Sequence, residues 1–271
     1  MSAPDVGRID GRRAFGGDAR NYDDARPEYP PGVFDLLRER CGLAQGTRTF
    51  EIGPGTGLAT RPLLAAGAGP LLAVEPDARL AVVLQERTAS KLLQVIVAPF
   101  EEAVLPDASF DLGCSATAFH WLEQRPALTK VAAALRPGGA WAMWWNVFGD
   151  PEQPDPFHDA TQEILAPLGR NPSQPVSWKH PFALDRQARL DDLQSVAAFE
   201  DIAMELFRWT HMLDAPQVRA LYATYSHIAL LPDAERERVL DGVRDVAAGQ
   251  FAGRVERKVL TPVYTCRRRA A

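Results

Sequence analysis

The chain has 271 residues, 46% of them hydrophobic, with 30 Lys and Arg against 35 Asp and Glu and a formal net charge of −5. That length supports one large domain or a core domain with an inserted cap, and the acidic balance works against nucleic acid, whose phosphates the average field repels. No apolar run approaches the roughly 20 residues that span a bilayer, the start MSAPDVGRID has no apolar signal segment, and Cys41, Cys114 and Cys266 are scattered, which together predict a cytoplasmic protein without a disulfide framework, a zinc cluster or a membrane contact.

After a polar, glycine-rich opening, Val33, Leu36, Leu37 and Cys41 recur at helical spacing behind Pro30 and Pro31, predicting a helix. Thr47 to Ile52 reads as a short buried strand that runs into GPGTG and then a helical LATRPLLAAG. Pro70 to Val74 reads as a second strand, followed by a helix from Asp77 to Ser90. LLQVIVA is a third strand and FDLGCSA a fourth, with a helix from Arg125 to Leu135 behind it. Arg136 to Gly139 reads as a turn and Ala140 to Val147 as a fifth strand, rich in tryptophan. Strands alternating with helices predict βαβ units, hence an α/β, doubly wound, mostly parallel sheet of Rossmann-like type.

The alternation breaks at Gly149, where GDPEQPDPFHD is rich in proline and acid. Residues 150–198 read as a mainly helical cap over the carboxyl edge of the sheet. FEDIAMELFRWTHML returns to strand-like patterning, helices follow near Gln217–Leu230 and Asp233–Gly249, and KVLTPVYTCRR is a last strand. The expected organisation is an N-terminal lid segment (1–30), a ligand-binding core (31–149), the cap (150–198), and a completion of the core sheet with late helices (199–271).

The strongest chemical signal is TFEIGPGTGLATRPLL. A strand ends in Glu51, and Gly53, Gly55 and Gly57 then alternate before a helix. Such glycines let the backbone turn tightly and let a ligand approach where a Cβ would stand. Glu75 ends the next strand, 18 residues after Gly57, where an acid can accept both hydroxyls of a ribose. A dinucleotide site wants GxGxxG with a pyrophosphate at the helix N-terminus; here that third position holds Leu58. Glu51 would repel a pyrophosphate but attract an ammonium. S-adenosylmethionine carries an ammonium and no phosphate.

Glu51-Ile-Gly-Pro-Gly-Thr-Gly57, Glu75, LPDASFDL (Leu105 to Leu112) and LRPGG (Leu135 to Gly139) resemble the motifs of the class I S-adenosylmethionine-dependent methyltransferases. Tyr22, Arg26, Pro27 and Tyr29, with ATAFHWL ending at Leu122, resemble a small-molecule branch of that superfamily that includes trans-aconitate-type enzymes. The resemblance implies a seven-stranded sheet whose last strand is antiparallel. It implies that Glu51 and the Gly53–Gly57 backbone hold the methionine part of S-adenosylmethionine and that Glu75 holds the ribose. Pro76 would pack near the adenine, with Phe100 and Glu101 at its edge. Ser115 and Ala116 would line the methionine side, and Tyr22 and Arg26 would close over the cofactor. S-adenosylhomocysteine is then the product. One departure is Pro99, which stands where many relatives carry an acid that accepts from the adenine amine.

The expected activity is transfer of the methyl group to a small-molecule acceptor by in-line displacement. Positioning and desolvation can carry much of such a reaction, and a base is needed only if the nucleophile arrives protonated. His120, just after the fourth strand, is the first candidate for acceptor contact, with a structural, hydrogen-bonded histidine as its alternative; Tyr22 is the second. His180 could line a pocket from the cap, while His211 and His227 read as structural. Trp145 and Asn146 could reach an acceptor. No histidine pair has metal-ligand spacing, so no metal is expected. Two rival functions stand beside this one: a non-catalytic scaffold that binds S-adenosylmethionine, and a nicotinamide-dependent oxidoreductase.

Overall fold

The computed structural model describes residues 15–168 and 181–270, so Trp178 and His180 of the expected cap lie outside the described residues. The chain divides into two compact units. One is drawn from Met1–Pro27, Val147–Lys179 and Arg208–Leu260, the other from Glu28–Asn146, His180–Phe207 and Thr261–Ala271. The stretch expected as a cap is thus divided between them.

The second unit holds five parallel strands: β1 (Thr47–Ile52), β2 (Ala68–Glu75), β3 (Leu93–Val97), β4 (Phe110–Ala116) and β5 (Leu135–Trp144). Their order is β3-β2-β1-β4-β5. Three further strands are described: β6 (Val147–Phe148), β7 (Phe199–Asp214) and β8 (Arg254–Arg268). Residues Val263 to Arg267 of β8 pair antiparallel with β5. Its earlier residues Val259 and Leu260 pair antiparallel with β6, and β7 also pairs with β8. The described sheet therefore has eight strands instead of the expected seven, because the strand after Asn146 is a separate two-residue piece.

Arg136 to Gly139 is not a turn outside the sheet but part of β5. Phe110 pairs with Leu135 and Leu112 with Ala140, so the chain loops out between two registered pairs. Gly138, at φ +76°, supplies the backbone that this excursion needs.

The helices of this unit follow from apolar spacing and capping. After α1 (Ala19–Ala25) in the chain, Pro31 opens α2 (Pro31–Cys41) and left-handed Gly42 closes it. It buries Val33, Phe34, Leu37 and Cys41. After the glycine loop comes α3 (Thr60–Ala65), and after β2 comes α4 (Ala78–Thr88), whose first turn is capped by the Asp77 carboxylate accepting from Arg79 N–H. Phe34, Leu37, Leu63 and Leu84 form one core with Leu71, Leu112, Ala142 and Trp144 on one face of the sheet. Side chains alternate along a strand, so Trp141 faces the other way, where its ring contacts Phe50 and Phe119. Helix α5 (Gln124–Ala134) buries Leu128 and Val131.

The first unit contains α1 (Ala19–Ala25), α6 (Pro156–Leu165), α8 (Ala215–Ala223), α9 (Ser226–Ala229) and α10 (Asp233–Gln250); α7 (Arg186–Gln194) belongs to the second. The single late helix expected at Gln217–Leu230 is two, because the Thr224 hydroxyl turns back to the Leu221 carbonyl and Tyr225 is extended. Phe157, Val218, Leu221, Tyr222, Val243 and Ala247 pack together in this unit. Arg257 is buried there, paired with Asp155 and donating to the Tyr222 hydroxyl. No helix among the described residues is long and apolar enough to cross a membrane.

Candidate active site

Strand β1 delivers Glu51 and strand β2 delivers Glu75 at their carboxyl ends, where ligands bind in open α/β sheets. Glu51 is fully buried. Its Oε2 accepts from the Thr60 hydroxyl at 2.6 Å, while Oε1 is buried without a hydrogen-bond partner. Burial pushes the carboxyl up to about 7, opposed by the Thr60 bond and assisted by the charge of Glu75. Glu75 is also buried and accepts from Gly55 N–H at 2.9 Å and Asp77 N–H at 3.0 Å. Burial pushes it up to about 7 as well, against those two bonds.

The loop between them needs its glycines for two different reasons. Gly53 has φ +63°, and a Cβ there would stand 2.5 Å from the Ala118 Cβ. Gly55 has φ +59° with no protein atom within 4 Å of a built Cβ. One glycine admits the chain after β4, and the other leaves open space beside Glu75. Glu75 itself ties the loop through the Gly55 N–H.

The chain beyond β4 forms the neighbouring wall. Ser115 is buried and donates to the Ile52 carbonyl. Ala116 is half-buried. Thr117 adopts φ +54°, an uncommon conformation for a non-glycine residue. It is held by its N–H on the Trp144 carbonyl at 2.7 Å and by a 2.8 Å hydrogen bond between its hydroxyl and that of Tyr29. A short 3-10 turn, Phe119–Trp121, follows.

His120 lies in that turn. Its Nδ1 accepts from the Trp145 indole N–H at 3.0 Å. An indole nitrogen can only donate, so the neutral imidazole carries its hydrogen on Nε2. The ring is flanked by Trp121 and Phe182, and Phe182 also contacts Trp145. Arg189 lies over Phe182 and donates to its carbonyl. Asn146 bonds the Glu28 carbonyl and accepts from the Thr261 hydroxyl.

Pro76 and Glu101 are exposed, whereas the Phe100 side chain is buried. Tyr22 and Arg26 lie in the first unit, Tyr22 within α1 and Arg26 at its end. There the Arg26 guanidinium donates to the Thr224 hydroxyl and carbonyl and lies over the rings of Tyr22 and Tyr225. In the same unit His227 is pushed down to about 4 by burial, with Arg26 adding to the effect. Thr60, Thr117 and Ala118 escaped the sequence reading. Thr60 had a signal, a hydroxyl in the first turn behind an acid-glycine loop; Ala118 had none.

Glu51, Glu75 and the loop fit S-adenosylmethionine. The unpartnered Oε1 of Glu51 suits an ammonium, whose N–H groups need acceptors. Glu75 offers two carboxylate oxygens to ribose hydroxyls, and the space at Gly55 admits a ligand against the backbone. Residues 50–143 match the family model described as methyltransferase domain. An uncharacterized methyltransferase of Mycobacterium tuberculosis is 29% identical over 241 residues, covering 89% of this chain and 88% of the relative. An uncharacterized methyltransferase-like protein of Schizosaccharomyces pombe is 25% identical over 238 residues, covering 87% and 86%. A Haemonchus contortus phosphoethanolamine N-methyltransferase, solved with S-adenosylhomocysteine, shares the fold at a TM-score of 0.58 and 12% identity, covering 99% of this chain and 61% of that one. A glycine loop flanked by two buried acids lies at the carboxyl ends of β1 and β2 and inside the segment that matches the methyltransferase domain, and the chain is an S-adenosylmethionine-dependent methyltransferase that resembles proteins named as methyltransferases over most of its length.

Proposed function

We propose that the chain methylates a small-molecule acceptor in the cytoplasm by in-line displacement. When bound, S-adenosylmethionine supplies a methyl group already activated on a sulfonium. Glu51, supported by Thr60, takes the ammonium of the methionine part, and Glu75 takes the ribose. The observation that carries the acceptor reading is the aromatic enclosure of His120 by Trp121, Trp145 and Phe182, two residues beyond the Ala118 contact with the glycine loop. Aromatic walls with one polar group suit a small planar or apolar molecule. Held with its hydrogen on Nε2, His120 orients an acceptor by donating to it rather than by removing a proton at that atom. The fold neighbour from H. contortus was solved with phosphomonomethylethanolamine, itself a small molecule. Three free, buried thiols suit a reducing compartment.

The test is an acceptor screen in which S-adenosylhomocysteine release is measured against panels of small carboxylates, phenols and amines, with protein and RNA panels in parallel. Release with a small acceptor alone is expected. Transfer confined to protein or RNA would overturn the proposal.

A further inference from the structure

Helix α5 carries Lys130, half-buried, outside every residue assigned above. Its Nζ donates to two consecutive main-chain carbonyls, Phe100 at 2.5 Å and Glu101 at 3.1 Å. The ammonium also stands 4.8 Å from the centroid of the Phe100 ring. Consecutive carbonyls point to opposite sides in an extended chain, so one ammonium can reach both only where the backbone turns. It does turn here: Glu102 N–H and Ala103 N–H both donate to the Pro99 carbonyl.

This turn begins where β3 ends, and it is tied to the main chain of Glu75 at the end of β2. Ala98 N–H donates to the Glu75 carbonyl at 3.2 Å, while the Glu75 side chain holds Gly55 and Asp77. The turn that Lys130 bonds is therefore joined to the Glu75 backbone through the main chain from Phe100 back to Ala98 and the Ala98 N–H bond. With a ribose at Glu75, the attached base would lie near that acid, to whose main chain this turn is bonded. Pro99 has no N–H to give a sheet ladder, and no regular strand fixes residues 98–103. The turn's own bonds to the Pro99 carbonyl are supplemented by a side chain from another element, which takes the next two carbonyls. Burial holds the Lys130 ammonium below its ordinary range while the charge of Glu101 opposes that shift, so its bonds are made by a partly desolvated cation, the stronger kind.

We infer that Lys130 is a positioning residue for the nucleoside half of the cofactor, holding the Pro99–Ala103 turn in the shape that receives the adenine. The inference rests on the assignment of Glu75 to the ribose. It predicts an effect confined to that half: ligands with and without the amino-acid half lose the same factor when the two carbonyls lose their donor.

The experiment uses the full chain and two probes, S-adenosylhomocysteine and 5′-methylthioadenosine, which keeps the nucleoside and lacks the amino-acid part. Calorimetric affinities are measured for the wild type, Lys130→Met and Lys130→Arg. Methionine keeps the stem over Phe100 and removes the donors; arginine keeps donors for both carbonyls. Expected is a loss of about tenfold for both probes in Lys130→Met, at an unchanged melting temperature, with substantial recovery in Lys130→Arg. Wild-type affinity of Lys130→Met for both probes would overturn the inference. So would a loss for S-adenosylhomocysteine alone, or a fall in melting temperature that Lys130→Arg shares, which marks a purely structural lysine. A wild type that binds S-adenosylhomocysteine but not 5′-methylthioadenosine would overturn it too. Failure of the wild type to bind either probe would remove the cofactor assignment and this inference with it.

Discussion

At the scale of single residues, the two buried carboxyls do different work. Glu75 is already satisfied by two N–H groups, whereas Glu51 keeps one oxygen without a partner. A cation placed at that oxygen favours the ionised form and draws the Glu51 carboxyl down from about 7. Binding at pH 6.5 is therefore expected to release protons, seen as a dependence of the calorimetric enthalpy on the ionisation enthalpy of the buffer. Affinity for S-adenosylhomocysteine should rise with pH up to about 7 and level off above it. In Glu51→Gln both effects should shrink; an unaltered proton release would mean that another group titrates. Gly55→Val tests the loop itself. The site has room in the protein, so the variant should fold, but φ +59° strains a β-branched residue and the methyls fill the open space. Loss of S-adenosylhomocysteine binding with retained cooperative unfolding is expected, and undiminished affinity would misplace the cofactor.

At the scale of elements, the glycine loop and the strands around it are legible in the sequence because their signals are local. Glu51, Gly53, Gly55 and Gly57 sit within seven consecutive residues, and alternation of short apolar runs with helices marked β1 to β4 nearly to their ends. What failed depended on registry between distant segments. LRPGG carries the composition of a turn, and only pairing with β4 on both sides shows that β5 runs through it. Thr60 acts through a contact nine residues back, Ala118 through one 65 residues back, and Lys130 through one 30 residues back; no spacing rule joins such pairs. Hydrogen exchange checks which elements the cofactor orders. With S-adenosylhomocysteine, protection is expected to rise at Gly53–Gly57 and across residues 98–103, and not along α10 of the other unit. Equal protection throughout the chain would indicate global stabilisation instead of a local site.

At the scale of the whole molecule, the buried acids make stability depend on pH in an unusual direction. Both are raised from 4.5 to about 7 on folding, so the native protein keeps protons that the unfolded chain has released. That contribution is fully present below pH 4.5 and is lost as the pH rises through about 7. The cofactor-free melting temperature should lose this contribution between those limits, and Glu51→Gln should flatten the slope. Ligand adds to stability: at a hundredfold excess over Kd, S-adenosylhomocysteine contributes about 2.7 kcal/mol. For a chain of this size that is roughly 5 °C in thermal unfolding. NAD should give no shift, and a shift with NAD alone would return the fold to the nicotinamide enzymes.

The contact between Gly53 and Ala118 carries a consequence for inheritance. A Cβ at 53 and the existing Cβ at 118 would claim the same space, so two positions 65 residues apart share one volume. Neither can grow unless the other shrinks, and position 53 cannot shrink further. Across natural relatives, position 118 should then drift only among the smallest residues wherever 53 is glycine. A lineage that admits a bulky residue at 118 should betray a displaced glycine loop, and with it an altered or abandoned cofactor, before any assay is run.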